Sequence, residues 1–230
     1  MDWRNPISEL RFNMKYFPKR CRRPITLTLL LLMATIYSFS SEEVFPSFGR
    51  DTVLVWQTQN LSFESTFVVR IATFYPDRFI EWESREVQGT VYMRSEDIEN
   101  ARGFVNSRLF EGGVDAKSKK TTTLWLSRKL FQELKSKDKA KCQLDGMGSE
   151  FKYQGKDQLK VEVNGKLTIL PVIKVSDGRG AEFWFLDQED NPLMAKHTLR
   201  NYSRTLTVIS TDRPNTLRWI KGKKLSTPPL

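Results

Sequence analysis

Asn164-Gly165 stands between two runs of alternating apolar and polar residues, QLKVEV before it and KLTILPVIKV after it. Asn and Gly both enter the left-handed backbone region at low cost, and a two-residue loop built from them joins antiparallel strands. Similar short breaks recur at Tyr75–Arg78, Val87–Gly89, Gly155–Asp157 and Asp177–Gly180. None has the dozen or more residues that a parallel crossover needs. A chain punctuated this way is constrained to an antiparallel meander.

The runs between the breaks carry strand residues. FVVRIATF (67–74) is β-branched and aromatic but alternates only partly, as a strand covered on both faces does. Arg78–Glu86 alternates cleanly, with Ile80, Trp82 and Ser84 on one face and Phe79, Glu81, Glu83 and Arg85 on the other. TVYM (90–93), EFKYQ (150–154), AEFWFLD (181–187), PLMAKHTL (192–199) and RTLTVIS (204–210) complete the strand set. Pro171 inside its run marks an edge or a bulge. Two short helices interrupt the pattern. Ser95–Arg102 opens with a capping Ser95 and the acids Glu96 and Asp97. Ser127–Lys135 has Ser127 as N-cap and Leu130, Phe131 and Leu134 on one face. Gly112-Gly113 breaks the chain, and residues 116–123 read as a mobile loop. The fold class is mainly β (α+β): a strongly curved antiparallel sheet or half-open barrel with one or two short helices, in a single domain over 45–212. Hydrophobic residues at 39%, with aromatics at 12%, suffice for its core.

The ends of the chain differ from this body. Residues 1–40 hold seven basic and two acidic side chains, so half of the net charge of +10 lies in the first 40 of 230 positions. Lys15, Lys19, Arg20, Arg22 and Arg23 precede the uncharged run Ile25–Tyr37, and Ser38 and Ser40 follow at the spacing a signal peptidase reads. The segment is expected to be a signal peptide cleaved between Ser40 and Ser41, with Met14 as the true start, or an N-terminal membrane anchor; a buried soluble helix is the third reading. The first two place residues 41–230 outside the cytoplasm, in the periplasm or tethered to the inner membrane. Cys21 precedes the apolar run, which argues against a lipoprotein, and Pro24-Ile25-Thr26 does not continue a twin-arginine signal. Residues 213–230 are expected to form a basic disordered tail.

The C-terminal run VEVNGKLTILPVIKVSDGRGAEFWFLDQEDNPLMAKH, with Trp184, Leu186, Asp187 and Pro192 in its last hairpin, resembles the ends of periplasmic domains with a long curved antiparallel sheet, broadly similar to the lipoprotein-localisation (Lol) carriers. The resemblance covers about 50 residues and transfers no ligand residue. It implies a concave face able to take acyl chains.

Reaction machinery is hard to find. There is no Gly-x-Ser-x-Gly elbow, phosphate loop or His-Glu-x-x-His. His197, the single His, lies in a strand-like run and reads as a hydrogen-bonded strand residue rather than a base. Glu81 and Glu83 could pair as glycosidase carboxylates, but neighbouring cations favour a solvated face. Cys142, flanked by lysines, reads as a small strand residue rather than a reactive thiol. No cofactor or metal is expected, and the protein is not expected to be an enzyme.

Two sets of residues remain as binding candidates. Phe67, Ile71, Trp82, Val161, Ile173 and Phe185 could line a concave apolar site. Lys117, Lys119, Lys120, Lys137, Lys139 and Lys141, from a stretch with nine cations, could touch an anionic envelope component. The partners so implied are an apolar small molecule or an envelope lipid or protein, and not nucleic acid. The expected function is that of a non-catalytic exported envelope protein. A purely structural or interaction domain on an anchor, and an unrecognised hydrolase, are the alternatives.

Overall fold

The computed structural model describes residues 45–85, 87–106, 115–117 and 119–212. The leader, the Gly112-Gly113 break and the tail lie outside the described residues. Thirteen strands form one sheet. They are β1 (Val53–Asn60), β2 (Phe63–Thr73), β3 (Arg78–Ser84), β4 (Val87–Met93), β5 (Gly103–Phe104), β6 (Asp115–Lys117), β7 (Thr121–Thr122), β8 (Lys139–Leu144), β9 (Met147–Val163), β10 (Lys166–Ser176), β11 (Ala181–Leu186), β12 (Met194–Leu199) and β13 (Tyr202–Ser210). Among the described residues two helices accompany them, α1 (Ser95–Asn100) and α2 (Arg128–Lys137). The spatial order is β6-β4-β3-β2-β1-β13-β12-β11-β10-β9-β8-β5-β7. The long strands pair antiparallel, and the short strands β5, β6 and β7 pair parallel at the two margins. The two β-rich halves of the sequence are thus one curved sheet, with β1 and β13 as the seam.

Curvature brings β13 back onto β9. Val208 pairs with Glu162 and Ile209 with Val163 in a parallel contact, so β9 to β13 close into a five-membered ring. Five strands that alternate in direction must meet one neighbour running the same way, which explains the parallel pair. The Asn164-Gly165 turn fixes the closure. Both residues have positive φ, 50° and 81°, as the tight hairpin requires. The Asn164 side chain then accepts from the N–H of Thr211 at 2.7 Å and donates to Thr211 Oγ1 at 2.9 Å. At the seam, Val53 pairs with Ser210, so the first and last strands enter and leave side by side.

Several boundaries differ from the sequence reading. The break at Gly155–Asp157 is no turn: β9 runs unbroken for 17 residues. Lys174 faces Gly155 while Val175 faces Tyr153, so Gln154 is the extra residue of a bulge that Gly155, at φ 126°, accommodates. The β3–β4 turn falls at Arg85, with φ 55°, and not at Val87–Gly89, because Val87 still pairs with Ser84. Pro171 lies just before the first β10–β11 pair, Val172 with Leu186, on a stretch of β10 that has β9 alone as partner. The expected loop at 116–123 holds parts of β6 and β7. Ser95 does not cap α1; its N–H donates to Asp77 Oδ1 instead, and Arg94 stands at the cap position without a capping bond, its Nε donating to Asp97 Oδ2 at 3.3 Å.

One hydrophobic core runs through the described residues. Helix α2 contributes Leu130, Phe131 and Leu134 to it, each worth about 1.5–3 kcal/mol of burial. Ser127 Oγ accepts from the Leu130 N–H at 3.2 Å and donates to the Ala101 carbonyl at 2.7 Å, which caps the helix and ties it to the end of α1. The segment Leu124–Leu126, wholly buried, docks on the start of β12 through Met194 N–H to Leu124 O and Leu126 N–H to Pro192 O.

Candidate functional site

Strand β8 alternates strictly: Ala140, Cys142 and Leu144 face the core, and Lys139, Lys141 and Gln143 face out. Lys137, at the end of α2, and Arg102, just before β5, come up beside them. Together with Glu133, Cys142 and Glu150 they line an open groove of about 550 Å³. The carboxylates do not neutralise it. Glu133 is held by both terminal nitrogens of Arg102, at 2.5 and 2.6 Å, and this paired hydrogen bond keeps its carboxyl below the usual range. Glu150 stands opposite Lys141 across the β8–β9 ladder. Lys139 has no such partner opposite it; it faces Lys152. Like charges directly across a ladder repel and destabilise the pair. The groove thus gathers Lys137, Lys139 and Lys141, with Lys152 across the ladder from Lys139, at a mild stability cost.

Of the six lysines expected at an anionic contact, the structure brings Lys137, Lys139 and Lys141 together. Lys120 lies on the far side of β5, its N–H donating to Asp97 Oδ1, with Lys119 next to it in the chain. Lys117 belongs to β6, beside β4 at the opposite margin of the sheet. Arg102, which lines the groove, and Lys152, which stands across the ladder from Lys139, were not legible. Arg102 read as the end of a helix, and Lys152 as one surface strand residue among several; only the β8–β9 register reveals it.

Cys142 sits at the floor of the groove, 7% exposed. Burial pushes its thiol up to about 11, outweighing the bond from Phe151 and the Arg102 charge. At neutral pH it is a protonated, inert core residue, whatever the lysines beside it.

The six apolar candidates occupy the core. Phe67, Ile71, Trp82, Val161, Ile173 and Phe185 are each at most 2% exposed. Phe67 packs between Trp56, at 5.7 Å, and Trp82, at 6.2 Å between ring centroids. Phe185 belongs to a four-ring cluster with Phe104, Phe151 and Phe183 at 5.6–6.4 Å. Their ring neighbours are other core side chains, at the spacing of ordinary aromatic packing.

His197 is also buried, stacked on Phe183 at 4.5 Å, with Nδ1 3.1 Å from the Asn106 side-chain nitrogen. The amide donates there, so Nδ1 is the acceptor and Nε2 carries the proton. Burial first, then the Arg204 charge, lowers the imidazole to about 4, and it is neutral at physiological pH. Glu81 is engaged by Arg70, whose Nε donates to it at 2.7 Å while Nη1 reaches Asp51 at 2.9 Å. Among the described residues no three His, Cys, Asp or Glu side chains gather as metal ligands, and no helix is long and apolar enough to cross a membrane.

No family model matches this chain, and no curated protein matches it.

Proposed function

We propose that this chain is a non-catalytic, exported, envelope-associated interaction domain that holds a phosphate-bearing envelope component in the groove of Arg102, Lys137, Lys139 and Lys141. The observation that carries the reading is the uncompensated Lys139–Lys152 pair beside Lys137 and Lys141. A strand pairing that keeps two ammonium groups opposite each other becomes favourable when an anion lies between them. The basic leader and its apolar run support export. The burial of the six apolar candidates in the core supports an interaction domain over a carrier of acyl chains.

Lysines at an anionic surface contribute about 1 kcal/mol each, so reversing three is worth at least ~3 kcal/mol, roughly a hundredfold. The full chain and its K137E/K139E/K141E variant are co-sedimented with phosphatidylglycerol vesicles and titrated with soluble polyphosphate. Loss of both interactions in the variant supports a phosphate site; loss with vesicles alone assigns the phosphate to lipid, and loss with polyphosphate alone to a soluble or glycan-borne source. Equal binding by the two proteins in both assays removes the proposal.

A further inference from the structure

Strands β1, β3, β8, β10 and β12 all run toward one end of the sheet, and each turns back there: at Asn60–Phe63, Ser84–Val87, Leu144–Met147, Ser176–Ala181 and Leu199–Tyr202. Five of the eight large exposed apolar side chains of the described residues lie at this end; Tyr75, Leu167 and Ile169 lie away from it. Leu61 is 79% exposed and Met147 57%, and Phe63, Val87 and Leu199 are exposed on the flanks of their turns. Four of the five hairpins thus put an aliphatic, aromatic or thioether group into water where a turn ordinarily carries polar residues.

The described charges of the same turns differ in setting by sign. Arg85, Arg179 and Arg200 are exposed. The Arg85 guanidinium lies over the Phe63 ring, 3.9 Å from its centroid. The described carboxylates near these turns are engaged by donors of the chain itself. Asp177 is buried and accepts from the N–H groups of Arg179 and Ala181. Half-buried Asp145 accepts from the Asn106 N–H, and exposed Glu64 takes the Gln59 amide. The β8–β9 hairpin links this end to the basic groove, since Lys141 lies on the strand that leads to Met147.

We propose that this hairpin end docks onto an anionic bilayer, with Leu61, Phe63, Met147 and Leu199 entering the headgroup boundary and Arg85, Arg179 and Arg200 meeting lipid phosphates. Apolar tips ringed by arginines match such a surface on both counts: the tips gain burial, and the guanidiniums stay at phosphate level. The inference shares with the proposed function its placement at a membrane, but it does not use the groove.

The test places an environment-sensitive fluorophore, in the full chain with Cys21→Ser, at L61C, at M147C, and at K166C beside the Asn164-Gly165 turn at the other end; buried Cys142 stays unlabelled. With phosphatidylglycerol vesicles, the probes at 61 and 147 are expected to brighten several-fold and shift to the blue, while that at 166 stays unchanged. A leader that inserts by itself would not produce this contrast. An L61D/M147D variant is expected to bind at least tenfold more weakly while keeping its urea midpoint. No response at 61 and 147, equal responses at all three sites, or an equal response to phosphatidylcholine vesicles overturns the proposal, as would tip burial seen only with a protein partner. Binding by K137E/K139E/K141E separates the two ideas: if that variant still brightens at position 61, the docking end stands without the groove, whose own test is the polyphosphate titration.

Discussion

Arg70 and Arg78 are both buried guanidiniums, and they should answer mutation in opposite ways. Arg70 satisfies Asp51 and Glu81, so Arg70→Met strands two carboxylates and is expected to cost roughly 2–4 kcal/mol. Arg78 lies over Phe74 and Trp125, at 4.5 and 4.8 Å, with one bond to the Asp190 carbonyl and two nitrogens unpartnered; burial drives it down to about 9. Arg78→Met removes that desolvation and keeps the apolar contact, so its urea midpoint should lie within about 1 kcal/mol of the native protein or above it. His197 makes a pH prediction. The unfolded chain binds a proton near the ordinary value of 6.5 and the folded one only near 4, so stability is full above pH 6.5 and declines as pH falls toward 4. Two and a half units correspond to about 3 kcal/mol at the lower limit. Urea midpoints measured from pH 7 to pH 4.5 should fall more steeply for the native protein than for His197→Phe; parallel slopes would show that the imidazole is not the group responsible.

Helix α2 shows what a sequence can tell at the level of an element. Its start at Ser127 and its buried face were readable because capping and periodicity are local properties. Ser127→Ala should cost about 1–2 kcal/mol, the upper part of the N-cap range, because the hydroxyl also holds the Ala101 carbonyl. A chemical-denaturation curve for that variant checks it. Strand β9 shows the limit. Gly155-Lys156-Asp157 has turn composition, yet the tertiary ladder with β10 holds it extended, and a glycine with positive φ serves a bulge as well as a turn. The basic groove was half legible for the same reason. Lys139 and Lys141 alternate within one strand, but Arg102 and Lys152 arrive through pairings more local rules cannot see. Cys142 is the complementary case: its neighbours suggested activation, but burial outweighs them, and a thiol reagent at pH 8 should modify it at an appreciable rate only once urea opens the fold.

At the scale of the whole molecule, the curved sheet was visible in the turn lengths, while the ring closure was not, because Val208 and Ile209 meet Glu162 and Val163 from 46 residues away. Asn164 is the hinge between the two levels. Asn164→Gly would preserve the turn conformation yet remove the side-chain bonds to Thr211 and Asp212. It is therefore expected to cost about 1–3 kcal/mol and to raise amide exchange along β13 before that along β1 and β2; a change confined to the turn would show that the latch does not hold the ring. The seam has a further use. Because Val53 and Ser210 are neighbours, the folded body makes almost no demand on the separation of whatever is joined to it. It could be grafted whole into a surface loop of another protein, or have those two positions spliced and be reopened at an exposed turn, with its sheet order intact.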